Sequence, residues 1–169
     1  MRFYVFEDDI LVETDERLFE MQSEETYVEF EVDLTEENAF EPVETWEYRI
    51  VSDNLPDWYC AKPDYYLDAF KDVLRIWRNL QTITNEGVAT NNIYRNYVRK
   101  ADGLHYRNAV FFVQDCDYPI TFTDCIVYAK NSRNLRFKGE STVIALDTCD
   151  IFITDKTKIN NRSVRDEKR

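Results

Sequence analysis

Carboxylates dominate the reactive inventory of this chain: 33 Asp and Glu stand against 21 Lys and Arg, one histidine and four cysteines. In TYVEFEVDL, residues 26–34, Glu29, Glu31 and Asp33 fall two positions apart. On an extended backbone that spacing places them on one face, at steps of about 6.6–6.8 Å. Glu36, Glu37, Glu41, Glu44 and Glu47 continue the series. Such a row suits charge pairing with Lys and Arg side chains that otherwise grip successive phosphates of a nucleic acid. Paired acids also serve glycosidases and metal-assisted nucleases. Here the pairs recur, as Glu7-Asp8-Asp9, Asp15-Glu16, Glu24-Glu25 and Glu36-Glu37, and spacing sets none of them apart. No catalytic residue is assigned on this basis.

The remaining reactive types point away from catalysis. His105, in DGLHYR, has no second histidine to make a metal pair and no triad partner nearby, and reads as a structural loop or interface residue. Three glycines and no GxxxxGK[ST], GxGxxG or GxSxG argue against a phosphate-cradling loop or a nucleophile elbow. The acidic runs lack the spaced oxygens and central glycine of an EF-hand. No metal and no cofactor is expected. Cys60, Cys116, Cys125 and Cys149 form no CxxC and read as small buried fillers of a reducing compartment. Arg95, Arg99, Lys100 and Arg107 cluster near Tyr94, Tyr97 and Tyr106. Arginine interleaved with aromatics can hold single strands. The plainer reading is a helix with solvated arginines.

The elements that must position these residues follow from periodicity. Val28, Phe30, Val32 and Leu34 alternate with the acids, which predicts a half-buried strand. With RFYVF at residues 2–6, Ile10–Val12 and TWEYRIV at 45–51, it predicts a small acidic antiparallel sheet over residues 1–52. Residues 14–22 read as a helical turn or polar loop, and 52–62 as a loop. Pro63 then suits a first helical turn, and Tyr66, Leu67, Phe70, Val73, Leu74, Trp77 and Leu80 predict an amphipathic helix over about 64–80. Ile93, Tyr94, Tyr97 and Val98 predict a second helix over about 91–101, so residues 53–107 read as a helical bridge. From residue 108 to 159 an eight-residue beat takes over. Val127, Leu135, Val143, Ile151 and Ile159 recur at that interval, followed two residues later by Ala129, Phe137, Ala145 and Ile153. Each block reads as one short strand and one corner, and fixed-period stacking predicts a short β-solenoid. An antiparallel meander is the alternative, weakened by corners without Asn-Gly or Asp-Gly. Residues 160–169 read as a polar tail. The fold class is α+β.

Charge is divided along the chain. Residues 1–72 hold 22 acids and five bases, a balance of −17, and residues 73–169 hold 11 acids and 16 bases, a balance of +5. The beginning has no basic segment followed by an apolar stretch, and no run reaches membrane-spanning length, so a cytoplasmic location is expected. Together these features predict a non-enzymatic binding protein whose acidic surface blocks a basic, nucleic-acid-binding partner, with the acidic field arguing against direct nucleic-acid binding through that front. The predicted contacts are Glu29, Glu31, Asp33, Glu36, Glu37, Glu41 and Glu44. In character alone, small size, acidity and missing catalytic motifs, the chain resembles viral inhibitors of host defence nucleases such as anti-CRISPR and anti-restriction proteins. An immunity protein for a basic toxin, a self-assembling solenoid module and a small solenoid hydrolase are the alternatives.

Overall fold

The computed structural model describes residues 1–13, 15–85, 97–100, 103–154 and 158–161, with backbone alone for 97–100 and 158–161. The chain forms two compact units, Met1–Trp77 and Arg78–Arg169.

The first unit is an antiparallel sheet with helices. Strands β1 (Arg2–Val5), β2 (Ile10–Val12), β3 (Val28–Val32) and β4 (Tyr48–Ile50) take the order β2-β1-β3-β4. Alternation decides what each face does: Phe3, Val5, Val28, Phe30 and Val32 are buried along one side. Helix α3 (Pro63–Leu80) contributes Tyr66, Phe70, Leu74 and Trp77, the spacing predicted from sequence. Phe70 stacks on Phe30 with ring centroids 4.5 Å apart and meets Phe3 edge-on at 5.6 Å. Aromatic pairs of this kind add about 0.5–1.5 kcal/mol each beyond the area they bury. A second cluster joins Tyr4, Phe6 and Leu11 to Leu18 of α1 (Leu18–Glu24), with Tyr27 and Met21 against it. The stretch read as a loop at 52–62 contains a short helix, α2 (Asp57–Ala61), whose Tyr59 is buried. The strand expected over 45–51 is confined to β4, because a 3-10 turn at Val43–Thr45 precedes it.

The second unit is a parallel β-solenoid, as the eight-residue beat predicted. One sheet has the order β14-β12-β10-β8-β5, from β5 (Thr82–Ile83), β8 (Val110–Gln114), β10 (Ile126–Lys130), β12 (Thr142–Leu146) and β14 (Lys158–Asn161). The other has the order β13-β11-β9-β7-β6, from β6 (Tyr97–Lys100), β7 (Gly103–Arg107), β9 (Ile120–Thr123), β11 (Leu135–Lys138) and β13 (Ile151–Ile153). Eight residues make half a coil. Val127 pairs with Phe111 and Val143, sixteen residues away on either side, while Leu135 pairs with Ile120 and Ile151 on the opposite sheet. These parallel pairings exclude the meander.

One predicted element is corrected. Residues 97–100, expected to close a helix begun at about 91, form β6, antiparallel to β7 with Lys100 opposite Gly103; residues 91–96 lie outside the described residues. Tyr97 and Val98 are good strand formers, and their helical spacing with Ile93 and Tyr94 gives way to pairing with β7.

Both sheets supply large side chains to the solenoid interior, Phe111 among them, while the buried Ala129 and Ala145 come from one sheet. One sheet supplies Tyr106, Phe122 and Phe137, all buried and stacked at 5.8 and 5.3 Å between centroids. The other supplies Val113, Ala129 and Ala145 to the same core. On the outward side of that second sheet Phe112 and Tyr128 stack at 5.4 Å, Ile144 is also buried, and the Arg78 guanidinium lies 3.8 Å from the Phe112 ring centroid. Phe152, on the other sheet, is 50% exposed.

The corners are built from Asp and Asn. Asp115, Asn131 and Asp147 recur at sixteen-residue spacing with φ of 50°, 46° and 56°, and Asn108, Asp124 and Gly139 form the opposite corner at 51°, 55° and 63°. Asn and Asp tolerate this left-handed region because their short polar side chains bond locally. Asn131 Nδ2 donates to Asp115 Oδ1 at 2.7 Å, linking one coil to the next. Buried Ser132 and Ser141 accept the backbone N–H of Cys116 and Cys125, each at 3.2 Å. Between Cys125, Ser141 and Cys149, buried at eight-residue multiples, Arg133 is exposed and Ser132 takes the buried corner position instead.

The buried cysteines give the solenoid a pH limit. Burial pushes the Cys125 thiol up to about 11 from an ordinary 9.0, and raises Cys116 and Cys149 as well. A pKa raised by folding means that the folded chain holds the proton more tightly. Stability is then intact below about pH 9 and falls as pH rises toward about 11, by about 3 kcal/mol for Cys125. Thermal melts of the full chain are expected to drop over this window. A Cys125→Ala chain, compared with its own melt at pH 8, should lose markedly less.

Candidate acidic interaction surface

The seven carboxylates singled out in the sequence divide into two groups. Strand β3 is central in its sheet, so its outward residues have neighbours on both sides. Glu29 lies opposite Tyr4 of β1, and Glu31 lies opposite Arg2 of β1 and Arg49 of β4. Arg2 Nη1 stands 3.0 Å from Glu29 Oε1, and Arg49 Nη2 stands 2.5 Å from Glu31 Oε2. The two glutamate side chains are 17% and 27% exposed. The Arg49 hydrogen bonds hold the Glu31 carboxyl below its ordinary range, against a smaller opposing effect of burial. Glu29 and Glu31 thus form a partly neutralised centre.

The second group lies past the end of β3, on the segment 33–47. Asp33, Glu37, Glu41 and Glu47 are exposed, and none is in an ion pair among the described residues. Glu36 is half-buried on the same turn. Glu44 is exposed but pairs with Arg75 Nη2 at 2.8 Å; a hydrogen bond from its own backbone N–H and those of Arg75 lower its pKa.

Local chemistry fixes this segment. The Asn38 side chain accepts the Thr35 N–H at 2.8 Å and donates to the Asp33 carbonyl at 2.8 Å. Thr35 Oγ1 accepts from the backbone N–H of Glu37 and Asn38 at 3.3 and 3.2 Å. Threonine and asparagine three positions apart make such reciprocal turns readily. Trp46, buried, donates its indole N–H to the Asn38 carbonyl at 2.8 Å, and Ala39 is fully buried beside the turn. The exposed carboxylates therefore project from an ordered loop. Asn38 and Trp46, the residues that order it, carry no charge; Thr35-Glu36-Glu37-Asn38 reads as a turn in the sequence, but the Trp46 bond that anchors it does not show there.

Comparison with protein-family models, curated proteins and solved structures finds no match to this chain.

Among the described residues no three His, Cys, Asp or Glu side chains are placed to hold a metal ion, and no helix is long and apolar enough to cross a membrane. His105 lies in β7, buried, with Nε2 2.9 Å from Thr123 Oγ1. Cys60 is exposed, and Cys116, Cys125 and Cys149 are buried, all as free thiols. Of the basic cluster, Arg107 is exposed on the outward face of β7, Arg99 and Lys100 lie on β6, and Arg95 falls outside the described residues.

Proposed function

We propose that this protein is a non-enzymatic binding protein that covers the nucleic-acid-binding surface of a basic partner with the carboxylates of the 33–47 loop. The observation that carries this reading is the fixed, exposed set Asp33, Glu37, Glu41 and Glu47 on a unit that holds 22 acids and six bases over Met1–Trp77. Four of those bases, Arg2, Arg17, Arg49 and Arg75, are already engaged with carboxylates of the same unit. The loop therefore presents negative charge with little local compensation, and its order removes part of the entropic cost of docking. Glu29 and Glu31 support the sheet beneath it. A cytoplasmic setting agrees with free buried thiols. By character, a viral inhibitor of a defence nuclease fits this description, and a toxin-neutralising protein would use the same surface.

Binding should be measured against restriction endonucleases, CRISPR effector complexes and basic nuclease toxins, each across a salt series. A true partner should bind less tightly as salt rises, because loop charges at a rim are screened. Changing Asp33, Glu37, Glu41 and Glu47 together to Ser should weaken that binding by about a hundredfold. An affinity indifferent both to salt and to the four substitutions would overturn the reading.

A further inference from the structure

The outward face of the sheet β13-β11-β9-β7-β6 has the opposite character from the acidic loop. Alternation with buried Leu135 and Phe137 turns Arg136 and Lys138 of β11 outward, and Arg107 of β7 faces the same way. All three are exposed. Between them β9 places buried Thr121, opposite buried His105 of β7, and half-buried Thr123, whose Oγ1 lies 2.9 Å from His105 Nε2; Phe152 of β13 sits directly beside Arg136 in the register. No carboxylate occupies a strand position on this face among the described residues; Asp124 and Glu140 in one corner and Asp150 before β13 mark its margins.

A parallel sheet imposes a fixed lattice on these groups. Neighbouring strands are about 4.8 Å apart and alternate residues about 6.6 Å apart. Arg136 and Lys138 thus stand one repeat apart along β11, and Arg107 lies two strands away from Lys138 in the same column. The Arg136–Lys138 step is comparable to that between adjacent phosphates of an extended single strand, and Arg107, about 9.6 Å from Lys138 across two strands, suits a phosphate farther along. Phe152 offers a half-exposed ring next to the cations, and base stacking on aromatics beside a basic track is how sequence-tolerant single-strand binders work. The net charge of −12 opposes a polyanion at long range. At physiological salt that opposition is screened beyond about 8 Å, so what lies on the face itself decides.

We infer that this face is a weak, sequence-tolerant binding surface for single-stranded nucleic acid, with Arg107, Arg136 and Lys138 on phosphates and Phe152 stacking a base. It is independent of the acidic loop.

The test is fluorescence anisotropy of the full chain with a labelled twelve-nucleotide oligo(dT) between 50 and 200 mM salt. Three phosphate contacts on a single strand give a log–log salt slope of about −2, a loss of roughly twentyfold over this range. Arg136→Thr with Lys138→Thr should cut the slope to about −0.7, roughly a two- to threefold loss. Phe152→Ala should weaken binding about tenfold without altering the slope. These are exposed strand positions, and circular dichroism checks that the variants fold. The inference is overturned by absent binding at 50 mM salt, or by a slope that the double variant leaves unchanged. A heparin fragment bound as tightly, with no effect of Phe152→Ala, would assign the face to sulfated polymers and also overturn it. So would self-association abolished by the double variant, since the occupant would then be the acidic loop of a second copy.

Discussion

Phe122→Ala should destabilise the chain by about 3–5 kcal/mol, the usual loss for truncating a buried ring that cannot be refilled. Phe122 is fully buried and stacks on Tyr106 on one side and Phe137 on the other. The facing sheet contributes Val113, Ala129 and Ala145 to this core, together with Phe111, whose ring centroid lies 5.6 Å from that of Phe122. The small side chains cannot reach into the space left behind, Phe111 is already packed against Tyr106 at 4.6 Å, and the parallel register prevents the strands from closing over it. Against a whole-protein stability of about 5–15 kcal/mol, the loss is a large fraction. Thermal unfolding of the full chain should shift down by roughly 10–20 °C. Lys138→Thr, on the exposed side of the same sheet, should change stability by less than about 0.5 kcal/mol. A Phe122→Ala chain that melts within a few degrees of the parent would contradict the stacked-ring core.

Gly139→Ala is the second large effect, and it arises from the backbone. Gly139 has a φ of 63°, which costs an L side chain about 1–2 kcal/mol. A Cβ there would also fall 2.2 Å from Asp124 Oδ1. That oxygen accepts the Glu140 N–H at 2.9 Å, so the carboxylate cannot move aside without giving up a charge-assisted bond worth about 1.5–3 kcal/mol. The combined loss should be about 2.5–5 kcal/mol in chemical denaturation. Gly139→Asn, a residue suited to left-handed backbone, meets the same close contact, so it should recover the conformational part alone. If Gly139→Ala were neutral, the corner would have to be reshaped by both residues together.

Much of the solenoid was legible because its rule is local. An apolar residue, one outward residue, another apolar residue and a corner is a pattern that a single strand already displays, and Val127, Leu135 and Val143 carry it openly. What the spacing of eight could not disclose was which blocks touch: strands fifteen or sixteen residues apart share a sheet, while adjacent blocks face each other across the core. The corners were readable in principle, since Asp and Asn at 115, 131 and 147 fall on the coil interval, but their left-handed role depends on the strands they join. The failure at 97–100 has a different origin. Ile93, Tyr94, Tyr97 and Val98 satisfy a helical spacing by composition, and the pairing of β6 with β7 is a property of both strands at once. The acidic face shows the same limit. Glu29, Glu31 and Asp33 are evenly spaced in one strand, yet Arg2 and Arg49 arrive from elsewhere in the chain and divide them into ion-paired and free members. Helix α3 needed no such partner information, because Pro63 and the spacing of Tyr66, Phe70, Leu74 and Trp77 mark its start and its buried face.

The sixteen-residue register also governs how a gene for this protein can change in length. An in-frame duplication of the codons for residues 126–141 would insert one strand into each sheet and one corner of each kind, with rings again following rings and small residues following small. A duplication of half that length would place an alanine-bearing strand where a phenylalanine-bearing one belongs, and every later block would exchange sheets. Insertions and deletions that survive selection should therefore come in whole coils, so that homologous genes would differ in steps of one coil while their corner Asp and Asn codons keep phase.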